Sequence, residues 1–180
     1  MMDDEKSMID GNTVFAPSEA EQPVAAQAAA RETVRLVTEQ GLTLTTAESC
    51  TGGMLAAAIT SVPGVSAVYP GGFVTYCDEF KHKLLGVSKK CLKKNGAISR
   101  ATAKRMAKGA AKKAGADIAL SVTGNAGPDA QEDKPVGLVY IGLYFQGVTE
   151  TEKFTFQGGR QEIREAACLS ALQMLYRRLS

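Results

Sequence analysis

Apolar residues recur at helical spacing in three long segments of the chain. From Pro23, the sequence VAAQAAARETVRLVTEQG places Ala, Val and Leu on one face and ends at Gly41, a residue typical of helix C-caps. A second helix is predicted from Ser99, a suitable N-cap, to Ala114. A third is predicted over residues 160–179, where apolar positions again form one stripe. These segments predict the long helices of the fold.

Shorter apolar segments separate the predicted helices and are typical of β-strands. Two short helices, at residues 51–61 and 78–85, are predicted among them. The last two strands are predicted to form a hairpin around Gly147. The strand segments are LTLTT at 42–46, GGFVTYC at 71–77, ADIALSVTG at 116–124, PVGLVYIGLYF at 135–145 and TETEKFTF at 149–156.

Strands that alternate with helices, followed by a late hairpin, predict an α/β fold. We expect a three-layer α/β/α sandwich with a mixed, mostly parallel sheet. A length of 180 residues fits one domain, and we assign residues 22–180 to it. Residues 1–21 are polar and acidic without a recognisable period, so we predict a flexible N-terminal extension outside the fold.

The composition is ordinary for a soluble globular protein. Hydrophobic residues make up 44% of the chain and charged residues 22%. We find no apolar run long enough to cross a membrane and no secretory signal. The four cysteines contain no C-x-x-C pair, which favours reduced thiols in the cytoplasm. The single histidine, His82, has no ligand cluster around it, so we predict no metal and no cofactor.

Positive charge is concentrated in the middle of the chain. Twelve Lys or Arg and no Asp or Glu lie between Lys81 and Lys113, whereas the first fifty residues carry nine acids and three bases. Such a segment can bind nucleic acid, but here no aromatic residue is interleaved with the bases. We favour a solvated face or attraction for a phosphorylated substrate, and nucleic-acid binding is the alternative.

Three glycine-containing motifs lie where predicted strands end. TAESCTGGM, residues 46–54, opens from a strand into a helix, so its backbone N–H groups suit an anion such as phosphate or carboxylate. TGNAGP, residues 123–128, follows the buried strand, and GGR, residues 158–160, precedes the last helix. Strand ends build the ligand crevice of open α/β sheets. We therefore predict substrate binding by Ser49, Thr51, Gly52, Gly53, Gly124 and Gly127.

Together these motifs resemble the nicotinamide-nucleotide amidohydrolase family, also described as the CinA C-terminal domain or nicotinamide mononucleotide deamidase. The resemblance runs from about Ala28 to Leu179 and is carried by TAESCTGG, VPGVSAVYPGGFVTYCDEFKHKLLGV, NGAIS, TGNAGP and KPVGLVYIGL. It implies an α/β/α sandwich and a metal-independent hydrolysis of nicotinamide mononucleotide to nicotinate mononucleotide and ammonia. It also implies a homo-oligomer.

The resemblance implies a set of catalytic residues as well. The nucleophile maps to Ser66, in the turn PGVSAVY, and the lysine five residues after the strand-end Tyr76 maps to Lys81. The hydroxyl of TGNAGP maps to Thr123, and the arginine after the late glycine turn maps to Arg160. We expect Arg160 and the N–H groups that follow Ser49 to hold phosphate or to position water.

The chemistry of amide hydrolysis agrees with a Ser–Lys pair. The reaction needs a nucleophile, a base for its proton and donors for the oxyanion. A Ser-His-Asp triad would have to use His82, which lies about 100° around its predicted helix from Lys81. Lys81 must be neutral near pH 7, which burial favours. Cys50 is the rival nucleophile, although the usual partners of a catalytic thiol are absent from the sequence.

The chain departs from the family pattern at several positions. Asn125 stands where a branched apolar residue is expected, Cys77-Asp78 where Ser/Thr-Asn is usual, and Gly159 where an acid is customary. None of these removes a predicted catalytic group. They motivate a second hypothesis, that of a nucleotide-binding or scaffold protein of the same fold with weak catalysis.

Overall fold

The computed structural model describes residues 22–180, and the prediction for residues 1–21 lies outside them. This part of the chain contains six α-helices, one short 3-10 helix at Val65–Ala67 and five strands. The helices are α1 (Gln22–Glu39), α2 (Met54–Thr60), α3 (Asp78–Leu85), α4 (Lys89–Asn95), α5 (Arg100–Ala114) and α6 (Arg160–Leu179). The strands are β1 (Leu44–Glu48), β2 (Gly71–Val74), β3 (Ile118–Gly124), β4 (Leu138–Phe145) and β5 (Val148–Thr155).

The five strands form one mixed sheet in the order β2-β1-β3-β4-β5. Strands β2, β1 and β3 are parallel, whereas β4 is antiparallel to both β3 and β5. In this register Glu48 lies opposite Val74 on one side and Val122 on the other. The carboxyl ends of the three parallel strands therefore meet at one edge of the sheet, as expected for a ligand crevice.

Helices cover both faces of the sheet, which confirms the predicted three-layer fold. One core cluster joins α1, α2 and α6 to the sheet, and the other joins α3, α4 and α5 to its opposite face. All five residues of β1 are buried, as are the first six of β3. Such burial is typical of strands that are covered by helices on both faces. It holds the central strands in place beneath the crevice.

Helix α5 lies unusually close to the sheet. A Cβ added to Gly142 of β4 would lie 2.8 Å from the Ala103 carbonyl oxygen and 2.6 Å from Ser121 Oγ. Ser121 Oγ in turn donates a hydrogen bond to the Ala103 carbonyl at 2.7 Å. A glycine is therefore required at position 142 for this contact between helix and strand.

Several boundaries differ from the predictions, two of them for a clear structural reason. The first strand begins at Leu44 and not Leu42, because the Leu42 N–H donates to Val37 and completes the C-terminal turn of α1. Helix α2 begins at Met54 because Gly52 and Gly53 take φ angles of 60° and 100°. The prediction missed α4, whose seven residues, KKCLKKN, hold only two buried apolar side chains.

We expect Gly142→Ala to lower the free energy of unfolding by about 2 kcal/mol, because the added methyl group must displace α5 from the sheet. Chemical denaturation followed by circular dichroism measures this. Gly159→Ala is the matched control, since Gly159 has a φ of −80° and its added Cβ would lie 3.5 Å from Glu162 Oε2. Equal stability of the two variants would contradict the packing argument.

Candidate active site

Ser49 lies at the carboxyl edge of the sheet, directly after β1. Its N–H donates to the Val122 carbonyl at 2.9 Å and so continues the ladder between β1 and β3. Its carbonyl then accepts from the Gly52 N–H at 3.0 Å, which turns the chain toward α2. The serine is 9% exposed. The hydroxyl is thus held at the end of a buried strand, with a small part of the residue open to solvent.

Lys81 of α3 reaches the same position from the other side of the sheet. Its Nζ lies 3.0 Å from Ser49 Oγ and donates to the Thr75 carbonyl, also at 3.0 Å. The residue is 1% exposed, and no salt bridge to Lys81 forms within residues 22–180. An amine without a carboxylate partner in this setting is destabilised when charged.

Burial lowers the pKa of Lys81 from its ordinary value of 10.5, and the nearby Asp78 carboxylate opposes this effect in part. A lower pKa increases the fraction of neutral amine at physiological pH. A neutral amine within hydrogen-bonding distance of a serine hydroxyl can accept the hydroxyl proton as the oxygen attacks. Ser49 and Lys81 therefore have the geometry of a nucleophile and its base.

Ser66 does not share this pocket, and the predicted Ser66–Lys81 pair is wrong. Ser66 is exposed in the short 3-10 helix. Just after that helix, the Val68 carbonyl accepts from the N–H of Leu44, the first residue of β1. Ser66 therefore lies at the amino end of the parallel strands, and the five residues of β1, about 16 Å long, separate it from the Lys81 amine.

The prediction placed the nucleophile at the wrong end of strand β2. The turn that holds Ser66 precedes β2, whereas Lys81 follows it. Because β1 is parallel to β2, the serine that can meet Lys81 must follow a strand as well. Ser49 does so directly, and its position in TAESCTGGM, just after a predicted strand, is the signal in the sequence that could have identified it.

Glu48 occupies the anion site predicted at the start of α2. Its buried carboxylate accepts hydrogen bonds from the N–H groups of Gly53 at 3.0 Å, Leu55 at 3.0 Å and Ala56 at 2.8 Å. These are the orphan donors of a helix N-terminus. Among the N–H groups after Ser49, that of Gly52 is bound to the Ser49 carbonyl and that of Gly53 to Glu48, so neither is free for phosphate. Phosphate binding by the N–H groups of Cys50 and Thr51 stays a prediction.

Three other predicted residues meet at the rim of the site. Arg160, the first residue of α6, donates through Nη1 to the Gly127 carbonyl at 2.6 Å and through Nη2 to Tyr76 Oη at 2.5 Å. Tyr76, just beyond β2, is 59% exposed. The hydroxyl of Tyr76 accepts from Arg160 and keeps its own proton for a further partner. The loops after β2 and β3 and the start of α6 thus converge beside Ser49.

The remaining predicted residues are mainly structural in their contacts. Thr123 is 1% exposed, and its Oγ1 donates to the Ala97 carbonyl at 2.8 Å. A Cβ added to Gly124 would lie 2.7 Å from the Leu138 carbonyl oxygen, so this glycine permits strand pairing. Thr51 is fully buried, and its carbonyl accepts from Arg164 Nη2 at 2.9 Å. No contact with a substrate is needed to explain Gly124.

Asn125, which departs from the family pattern in sequence, has a structural role. It is 1% exposed, and its Oδ1 accepts from the Gly127 N–H at 2.9 Å. Its Nδ2 donates to the carbonyls of Asp129 and Lys134 at 3.0 and 3.2 Å. Asn125 therefore closes the loop that presents the Gly127 carbonyl to Arg160.

The two rival catalytic groups are poorly suited to their roles. Burial raises the pKa of the Cys50 thiol to about 12, so the thiol stays protonated at neutral pH and is a weak nucleophile. His82 Nδ1 hydrogen bonds with the Val87 carbonyl at 2.9 Å, at the end of α3 and away from Ser49. Within residues 22–180 no group of three His, Cys, Asp or Glu residues is arranged to hold a metal ion.

We expect Glu48→Ala to lower the free energy of unfolding by about 3 kcal/mol, because three N–H groups, one buried and two partly buried, lose a charged acceptor. Urea denaturation measures the change. Glu79→Ala, which removes an exposed carboxylate from α3, is the control and is expected to change stability little. A Glu48 variant as stable as the control would show that water or another group caps α2.

Comparison with known proteins assigns the chain to a family. Residues 26–179 match the model of the CinA C-terminal domain. A CinA-like protein of Kosmotoga olearia is 50% identical over 147 residues, which cover 81% of this chain and 36% of the relative. A putative competence-damage inducible protein of Clostridium perfringens is 47% identical over 146 residues, or 81% and 35% of the two chains. The chain spans about a third of the length of these curated relatives.

Solved structures match the chain over most of their own length. A CinA superfamily protein of Klebsiella pneumoniae is 37% identical with a TM-score of 0.84, covering 86% of this chain and 97% of that one. The competence/damage inducible protein CihA of Agrobacterium tumefaciens is 40% identical with a TM-score of 0.82, covering 93% and 98%. No helix in the described part of the chain is long and apolar enough to cross a membrane. The match to the family model and these structural similarities show that the chain belongs to the family defined by the CinA C-terminal domain.

Proposed function

We propose that the chain hydrolyses the carboxamide of nicotinamide mononucleotide, giving nicotinate mononucleotide and ammonia, with Ser49 as nucleophile and Lys81 as base. The observation that carries this proposal is the buried Lys81 amine 3.0 Å from Ser49 Oγ at the crevice edge of the sheet. The resemblance of the sequence motifs to nicotinamide-nucleotide amidohydrolases supports the choice of substrate. The names of the relatives state no reaction.

In the first half of the reaction, neutral Lys81 takes the proton of Ser49 Oγ while this oxygen bonds to the carboxamide carbon. The carbonyl oxygen becomes an oxyanion and then re-forms its double bond as the C–N bond breaks. The departing nitrogen takes a proton, and ammonia leaves a nicotinoyl ester on Ser49. Lys81 supplies that proton and becomes neutral again, while Tyr76, whose Oη accepts from Arg160 and retains its own hydrogen, can donate a hydrogen bond to the departing nitrogen.

In the second half, a water molecule attacks the ester carbonyl, and Lys81, neutral again, accepts the water proton. The C–Oγ bond breaks, Ser49 recovers a proton from Lys81, and nicotinate mononucleotide is released. Arg160 and Tyr76 act at the rim, where their hydrogen bond fixes the orientation of the phenol. Thr123 holds the Ala97 carbonyl and so positions the segment before α5. The steps use side chains of this chain, and we propose a metal-independent reaction.

We expect Ser49→Ala to reduce the rate of ammonia release from nicotinamide mononucleotide by at least about 10³-fold, because the nucleophile is lost. A coupled ammonia assay in the presence of a chelator measures this. Ser66→Ala is the matched control and is expected to keep full activity, because Ser66 is exposed at the opposite edge of the sheet. Loss of activity in Ser66→Ala with retention in Ser49→Ala would reverse the assignment.

We expect kcat to rise with pH as Lys81 loses its proton and to reach a plateau below 10.5, because burial lowers the pKa of this amine. The folded chain releases the Lys81 proton at lower pH than the unfolded chain. The free energy of unfolding therefore increases with pH between the pKa of Lys81 in the folded chain and 10.5, its ordinary value.

Lys81→Met should abolish activity and remove that share of the pH dependence of stability. At neutral pH we expect a small change in stability, because removal of a buried amine offsets the loss of its hydrogen bond to the Thr75 carbonyl. Urea denaturation at several pH values, together with pH–rate profiles, checks both effects. A Lys81→Met variant that keeps wild-type turnover would contradict the role of the amine as base.

A second candidate is a protein that binds the nucleotide but turns it over slowly. The departures from the family pattern near Cys77 and Asn125 motivate it. Calorimetric binding of nicotinamide mononucleotide with no ammonia after hours would favour this function over the enzyme. Cytoplasmic location and homo-oligomerisation stay predictions, and light scattering of the purified protein tests the second.

A further inference from the structure

Two arginines of α6 lie side by side at the rim of the site. Arg160 and Arg164 are four residues apart and therefore project from the same face of the helix. Arg160 contacts Tyr76, and Arg164 Nη2 donates to the Thr51 carbonyl at 2.9 Å. A Cβ added to Gly52 would lie 3.6 Å from Arg164 Nη2 and 3.8 Å from Tyr76 Cε2. The two guanidinium groups thus flank the turn that begins at Ser49.

Neither of these arginines is neutralised by a carboxylate. The salt bridges formed within residues 22–180 include Arg177 and Arg178 at the far end of the same helix, but neither Arg160 nor Arg164. Cations are also disfavoured near the N-terminus of a helix by its macrodipole. Helix stability therefore does not explain the pair, whereas an anionic ligand would.

Arg164 has donors that the protein leaves unused. Its Nη1 donates to Gln161 Oε1 at 3.1 Å and its Nη2 to Thr51, while its Nε is buried and has no partner in the described structure. Thr51 Oγ1 beside it is likewise buried without a partner. Buried donors are normally satisfied, and a guanidinium with spare N–H groups is suited to bidentate contact with phosphate.

Other clusters of N–H groups near the site are already occupied. The Glu48 carboxylate binds the amides at the start of α2. The Glu132 carboxylate accepts from the N–H groups of Ala97 and Ile98 at 2.8 and 3.1 Å. A substrate phosphate therefore finds a carboxylate of the protein at both places. The pair Arg160 and Arg164 offers positive charge with no such competitor.

We propose that Arg160 and Arg164 bind the phosphate of the substrate, which is a phosphomonoester dianion. Arg164 thereby makes the site selective for the mononucleotide over the corresponding nucleoside, which lacks the phosphate. This inference rests on the proposed function. Arg164 acts at a distance from the bond that is cleaved, so it contributes binding energy and takes no part in the transfer of protons at Ser49.

The test compares Arg164→Gln with the wild type on two substrates, nicotinamide mononucleotide and nicotinamide riboside, which lacks the phosphate. Gln retains an amide donor for the Thr51 carbonyl. We expect KM for the mononucleotide to rise about 10- to 100-fold with kcat nearly unchanged, and kcat/KM for the riboside to stay the same. Arg164→Lys, which keeps the charge, should recover part of the loss.

Arg177→Gln is the matched control on the same helix, and thermal unfolding of each variant verifies the fold. Equal loss of kcat/KM for both substrates in Arg164→Gln would overturn the proposal and leave Arg164 with a structural role. If the wild type releases no ammonia, the proposed function fails, and calorimetric binding of nicotinamide mononucleotide then decides this inference. Weaker binding by Arg164→Gln supports the phosphate site, whereas unchanged or absent binding overturns it.

Discussion

Glu48 links the three elements on which the active site depends. Its carboxylate binds the first amides of α2, and its carbonyl accepts from the Thr75 N–H at 2.8 Å, just beyond β2. Ser49 follows Glu48 directly, and the Thr75 carbonyl is one of the two acceptors near the Lys81 amine. One buried residue therefore positions both members of the Ser–Lys pair. A carboxylate enclosed in this way is tolerated because N–H donors replace its water.

Burial has opposite consequences for the two candidate nucleophiles, Ser49 and Cys50. It lowers the pKa of Lys81, which makes an amine base available to Ser49, and it raises the pKa of Cys50 to about 12, which withholds the thiolate. Two adjacent residues in the chain thus differ in reactivity because of the environment of each side chain. The same low polarity that disfavours Cys50 activates Ser49 through its partner.

Local sequence patterns predict much of the fold, but they do not predict which groups contact Lys81. Helix α6 has the predicted bounds, and α5 begins after the predicted cap at Ser99. The sequence also indicated Lys81, Tyr76 and Arg160. It did not reveal that Ser49 faces Lys81, because this contact depends on the register between the parallel strands β1 and β2. It also did not reveal that Glu48 caps α2, because this contact depends on the conformation of the turn at Gly52 and Gly53. Periodicity assigns a residue to a strand but does not state which strand ends lie together.

The exposure of Tyr76 and Arg160 has a consequence for the fate of the covalent intermediate on the proposed mechanism. These side chains form an open border and not a cover, since Tyr76 is 59% exposed. On the proposed mechanism, water enters past this border to the ester on Ser49, a residue that is 9% exposed. Dissolved amines reach it equally well, so hydroxylamine would compete with water and divert the acyl group to a hydroxamate. On this mechanism, binding contacts determine which substrate is acylated onto Ser49, whereas the composition of the solvent determines which nucleophile accepts the acyl group.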